Sequence, residues 1–403
     1  VLSYKVFGLN EFALRLPSAL AIVGAFYFIF RIVRSYKGNV FAFFTCLMLI
    51  SINGLIGPHV GRTGDTDALL VFFLAGACWF FLQAVDYEEK YSWLLVGVFL
   101  GLAFWTKGPA SLVVIPAFFL YLIISKKFLS NLRSRMRWAG AIIFLGSIGL
   151  WVLLVSRYGI EFSDRPFAGK NSMETMVLYD IVHRFFGPGE HATGKDYGFF
   201  LTTLDSKFWL WNYLAYLLLF VAILRKEFKK VFKPDTSGHL HLFSFLIWSP
   251  AMVFFTFASS KHSWYLAPFL PFLGINIWGL IQYYQQKHKA LILITILVFL
   301  ITLGIKTEYL GFPEKYDPFL SQHEQEFRKA ENIVFTSTLP LDRLLYIHFR
   351  NPDIAIESNP DAIELKPGSL LIVNQEDFKM ASEKYGRFRV LDSDEESLMM
   401  GGE

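Results

Sequence analysis

Apolar residues in this chain come in long runs, not in the alternations or narrow stripes of a soluble fold. Ten runs approach the length a helix needs to cross a bilayer, about 20 residues. They are 17–32, 39–57, 67–85, 92–106, 109–125, 138–156, 207–224, 241–258, 265–283 and 290–305. The pattern predicts a mostly α, polytopic membrane protein with about ten transmembrane helices. Ahead of them, Lys5, Glu11 and Arg15 interrupt Val6, Phe7, Leu9, Phe12 and Leu14, which suits one or two interfacial helices over 1–16. The tail changes character: 332–336, 353–357, 370–374 and 388–391 read as short buried strands. A polar helical stretch at 318–330 precedes them, and helices over 341–350 and 376–385 alternate with them. The expected organisation is a membrane core over 1–305 and a small α/β domain over 306–403. The tail has no phosphate-binding glycine loop or nucleophile elbow.

Composition agrees: 54% of the 403 residues are hydrophobic and 18% charged, with 43 Phe, where a soluble domain carries roughly 25% charged residues. The net charge of +4 is spread over short loops; it reads as orientation signal and not as a nucleic-acid footprint. One alternate set of loops holds Arg31, Arg34 and Lys37, then Lys126, Lys127, Arg133, Arg135 and Arg137, then Arg225, Lys226, Lys229, Lys230 and Lys233, then Lys287 and Lys289. Only the acidic cluster of 86–92 dilutes it. Basic loops stay in the cytoplasm, so 1–16, 58–66, the Lys107 turn, 157–206, 259–264 and the tail are expected on the outer side. Cys46 and Cys78 fall inside apolar runs and imply neither a disulfide framework nor a zinc motif.

The polar motifs collect on that outer side. At 57–67, GPHVGRTGDTD sets Arg62, Asp65 and Asp67 where a span meets water. A carboxylate at mid-membrane costs roughly 3 kcal/mol on insertion scales, so these groups are expected to face a polar cavity. There Asp67 could hold a metal, orient an acceptor or act as a base; the bland alternative is a helix N-cap. Lys107-Gly108-Pro109 interrupts a long apolar run. At that depth a lysine needs an anionic partner, unless it only snorkels from a tight turn. Lys261-His262-Ser263-Trp264-Tyr265, followed by Pro268 and Pro271, brings a cation, an imidazole and a phenol together. A lysine and a tyrosine so placed can both reach one phosphate, although Trp264 alone would suit the interfacial aromatic belt. The loop 157–206 is too long for a plain connection and offers His183, Arg184, His191 and Tyr197.

Taken in order, VFGLNEFALRLPSA at 6–19, Arg62 with TDALL at 66–70, GLAF at 101–104 with Lys107-Gly108-Pro109, and KHSWY at 261–265 with Pro268 resemble one family. It is the bacterial dolichyl-phosphate-mannose-protein mannosyltransferase-like family, whose best-known branch is the aminoarabinose transferase that modifies lipid A. The resemblance implies a C-type glycosyltransferase fold in a bacterial inner membrane. Such an enzyme takes a sugar from a polyprenyl-phosphate donor and passes it, with inversion, to a lipid, protein or glycan acceptor. By the same likeness Lys261, Tyr265 and Arg184 would meet the donor phosphate and Asp67 would be the second acidic residue. Arg62, Lys107, His191 and His262 would line the cavity. Asp67 could help hold a divalent ion, for which a single carboxylate is weak ground. The family's principal catalytic aspartate lies in a first outer loop that would precede Val1, so the chain is expected to be an N-terminally incomplete and inactive piece. The rival reading from another class is a non-enzymatic carrier or flippase whose outer cluster recruits an anionic headgroup.

Overall fold

The computed structural model describes residues 2–8, 10–57, 59–159, 174, 196–227, 238–310 and 325, together with strands in the tail. The chain divides into two compact units, 15–308 and the remainder.

The larger unit is a bundle of helices. In chain order they are α1 (Leu2–Phe7, which precedes the unit), α2 (Glu11–Ser51), α3 (Asp67–Asp86), α4 (Ser92–Lys107), α5 (Ile115–Ile124), α6 (Phe128–Leu132), α7 (Arg135–Tyr158), α8 (Phe199–Phe208), α9 (Leu210–Leu224), α10 (Gly238–Thr256), α11 (Leu270–Lys287) and α12 (Ala290–Leu310). A 3₁₀ turn, Gly108–Val114, links α4 to α5.

Only five described helical stretches are long and apolar enough to cross a membrane, or six if the bent pair α8–α9 is one span. The difference from the ten expected segments has a structural cause. Two of the five are helical hairpins. Within α2 the backbone breaks at Gly38 (φ 81°), a left-handed conformation that glycine adopts without steric cost. The Cys46 thiol then lies 3.9 Å from the Phe26 carbonyl, so the two arms run side by side. Gly108 (φ 54°) does the same between α4 and α5. Helix α11 loses apolarity through Asn276, Gln282, Gln285, Gln286 and Lys287, and α12 is short in its apolar part. The second expected interfacial helix is the start of α2, continuous with the first arm through Pro17.

Contacts sort the connections to two opposite ends. At one, Tyr36, Tyr121 and Lys127 bond to Asp86, His239 approaches Tyr121, and Lys287 pairs with Glu227. At the other, Ser18 donates to the Asp65 carbonyl, Asn53 N–H to the Lys207 carbonyl, and Lys107 pairs with Asp67. Among the described residues, the loops near 36, 86, 127, 227 and 287 thus gather at one end and the turn at 59–66 and Lys107 at the other, as the alternation of runs predicts.

Helix α7 is almost wholly unburied, with Ile142, Leu145 and Leu153 at 68%, 63% and 59% exposure. Continuous apolar exposure on this scale marks a surface made for a non-aqueous or protein partner. Its inner side meets α4 at glycines: a β-carbon on Gly97 would strike the Gly140 carbonyl, and one on Gly140 would strike that of Trp93. Small residues let membrane helices approach at backbone distance.

In the smaller unit, five strands form one sheet in the order β2-β1-β3-β5-β4. They are β1 (Asn332–Phe335), β2 (Ala355–Glu357), β3 (Leu370–Asn374), β4 (Phe388–Ser393) and β5 (Ser397–Gly402). Strand β1 pairs in parallel with β2 and β3, while β5 runs antiparallel to β3 and β4. Strand β5 was not expected from the sequence. The helices expected at 341–350 and 376–385, and that at 318–330 apart from the helical residue 325, lie outside the described residues.

Candidate functional site

The break in the apolar pattern after α2 forms a turn that folds over the end of the bundle. Its backbone closes on itself, Val60 and Arg62 N–H donating to the Gly57 carbonyl and Gly61 N–H to that of Leu55. Ser18, buried on α2, holds the Asp65 carbonyl at 3.0 Å. Thr63 donates to the Asp65 carboxylate at 2.8 Å, and His59 Nδ1 lies 3.2 Å from the same carboxylate. His59 itself has φ 62°, a left-handed conformation that costs a side-chain-bearing residue roughly 1–2 kcal/mol.

Asp67 opens α3 but does not cap it; Thr66 occupies the N-cap position, without a side-chain bond. Both oxygens of Asp67 instead accept from Lys107 Nζ, at 2.7 and 2.6 Å. The carboxylate is buried, 7% exposed, and the lysine side chain 25%. Lys107 is the last residue of α4 and Gly108 turns the chain away directly after it, so the ammonium is delivered where α3 begins. The sequence expectation of an anionic partner is met by Asp67, and the snorkelling alternative is not what is seen. His59 and Asp65 lie within electrostatic range of Asp67.

The 259–266 segment comes to this end from the far side of the sequence. Lys261 is buried at 4% exposure. Trp264 stands between two imidazoles: His59 stacks on it at 4.0 Å and 26°, His262 at 4.5 Å and 21°. Tyr265 packs edge-on to His262 at 5.1 Å and against Phe255 at 5.4 Å. Ser260 Oγ is 3.5 Å from His262 Nε2. Of the residues singled out from sequence, Asp67 and Lys107 are bonded to each other, and Arg62 lies in the same turn. His262 and Tyr265 are brought to that turn through Trp264, with Lys261 in the same segment. Arg184 and His191 lie outside the described residues. His59, Thr63 and Ser18 were not singled out. Among the described residues no three His, Cys, Asp or Glu side chains gather where a metal ion could sit.

The turn, the α3 start and the α4 end all fall in the part of the chain that matches a family model, that of dolichyl-phosphate-mannose-protein mannosyltransferase, over residues 1–151. Over those residues, under half of its length, the chain resembles that family. YkcB of Bacillus subtilis (strain 168), which carries a provisional mannosyltransferase name, is 30% identical over 210 residues, covering 48% of this chain and 28% of that protein. YycA of the same strain, similarly named, is 28% identical over 187 residues, covering 45% of this chain and 27% of its own. The aligned part is thus under a third of either relative. Among solved structures, ArnT from Cupriavidus metallidurans bound to undecaprenyl phosphate superposes with a TM-score of 0.68 at 14% identity, covering 99% of this chain and 85% of that one. At that identity the likeness is one of fold. With the long apolar helices, the shared fold marks a multi-pass membrane protein.

Proposed function

We propose that the protein to which this chain belongs is an inverting, integral-membrane glycosyltransferase. In this reading a polyprenyl-phosphate sugar is the donor, and a lipid, protein or glycan supplies the accepting nucleophile. As the nucleophile attacks the anomeric carbon and gives up its proton to a base, the bond to the phosphate oxygen breaks and its electron pair leaves with polyprenyl phosphate. Lys261 supplies a fixed positive charge to that phosphate and Tyr265 a hydroxyl donor, with Arg184 joining them from the long loop. Stabilising charge that develops in a dry site is usually the largest single contribution to catalysis. Asp67, neutralised and oriented by Lys107, is the second acidic residue; Arg62, His262 and His191 shape the cavity. The alternating basic loops favour the Asp67 end as the extracytoplasmic one in a bacterial inner membrane. In the same reading the 306–403 domain is extracytoplasmic.

The observation that carries this reading is the company Lys261 keeps: a buried lysine in a segment stacked, through Trp264, onto the turn that leads into the Asp67–Lys107 pair. The test is binding of undecaprenyl phosphate to the purified protein in nanodiscs. Lys261→Ala is expected to weaken it by about tenfold or more, as for loss of a charged hydrogen bond. Unchanged binding would remove the phosphate role from Lys261, and release of free polyprenyl phosphate during turnover separates a transferase from a carrier.

A further inference from the structure

Trp264 does not sit as an interfacial aromatic does. Such an indole lies with its faces against lipid and its N–H toward water, whereas both faces of Trp264 are covered by imidazoles. The two histidines come from opposite parts of the chain: His262 from the segment that carries Lys261, His59 from the turn that leads into Asp67. His59 is in turn fixed by Asp65, whose carboxylate also takes the Thr63 hydroxyl and whose carbonyl takes Ser18. Its left-handed backbone persists because these contacts over-determine it, the usual condition for strain kept at a working site.

From this arrangement we propose that His59 is a positioning residue for the donor-phosphate site: stacked on Trp264 and held by Asp65, it fixes the Lys261–Tyr265 segment against the turn that carries Asp67. The proposal rests on the reading of Lys261 and Tyr265 given above. Its physical basis is ring stacking: the flat imidazole of His59 lies 4.0 Å from the Trp264 ring at 26°, and the Asp65 carboxylate holds it there from the other side of the turn.

Undecaprenyl phosphate binding to the full chain in nanodiscs tests this. His59→Ala is expected to weaken binding about tenfold, as for misplacement of a contact group, with an unchanged melting temperature. His59→Phe, which keeps a ring on Trp264, is expected to restore most of the affinity. If His59→Ala binds like wild type while Lys261→Ala does not, or if His59→Phe binds no better than His59→Ala, the positioning role is wrong. If Lys261→Ala itself binds like wild type, the phosphate reading fails and the positioning role falls with it.

Discussion

Lys107 closes on Asp67 through both carboxylate oxygens, at 2.7 and 2.6 Å, from forty positions further along the chain, after two passes of the bundle. The pair welds the end of α4 to the start of α3 with little water around the carboxylate. Removing one member of a buried pair strands the other charge, at a cost of about 3–5 kcal/mol, whereas replacing both by uncharged groups of similar volume is often nearly neutral. Lys107→Met is therefore expected to lower the unfolding midpoint strongly in detergent, and Asp67→Asn with Lys107→Met to recover most of it. Thermal melts of the two variants decide this. Equal destabilisation by the single and double variants would show that the pair does not act as a unit.

A second polar node holds the opposite end. Asp86, the last residue of α3 and 9% exposed, accepts from the hydroxyls of Tyr36 and Tyr121 and from Lys127 Nζ at 2.8 Å. Each donor left without a partner in a buried place costs about 1–3 kcal/mol. Asp86→Ala is expected to destabilise the bundle by more than Tyr36→Phe or Tyr121→Phe, each of which removes one donor only. The ranking is read from denaturation midpoints. It reverses if Asp86 is merely tolerated there.

The seam between α4 and α7 makes a sharper claim about backbone distance. Neither Gly97 nor Gly140 has room for a β-carbon, and in each case the obstruction is a backbone carbonyl that cannot rotate away. Overpacking of this kind costs typically 1–3 kcal/mol, and more where backbone must shift. Gly140→Leu is expected to reduce the yield of monodisperse protein on size-exclusion chromatography. Gly146→Leu, on the same helix with open space at its β position, should leave it unchanged.

Local features of the chain account for the bundle better than for the site. Gly38 and Gly108 punctuate apolar runs, so both hairpins follow from the runs and their breakers. The Asp67–Lys107 pair also has a sequence logic: each charge ends an apolar run, and two successive passes return the chain to the same end. The His59–Trp264 stack has no local signal, since ring stacking across the bundle depends on how the turn folds back on itself. The break at Trp209, which bends α8 from α9 by 107°, is equally silent, because its φ of 43° falls on a residue that gives no glycine or proline cue. Strand β5 has little local signal, because Gly401 and Gly402 weaken its strand propensity, and it is its pairing with β3 and β4 that makes it a strand.

Glu227 offers a pH test away from the site. It follows α9 at the Asp86 end, where its carboxylate accepts from Lys287 Nζ at 2.8 Å and from the Tyr284 hydroxyl at 3.3 Å. The hydrogen bond from Lys287 holds the Glu227 carboxyl below the usual glutamate range. A carboxyl whose folded value is depressed contributes stability that is fully present above its unfolded value, about 4.3, and is lost as pH falls through the folded one. Wild type and Glu227→Gln should therefore differ in melting temperature by a constant amount near neutrality. The gap should close only below about pH 4.3. A gap that widens toward low pH would mean that Glu227 is destabilised in the fold, contrary to its partnership with Lys287.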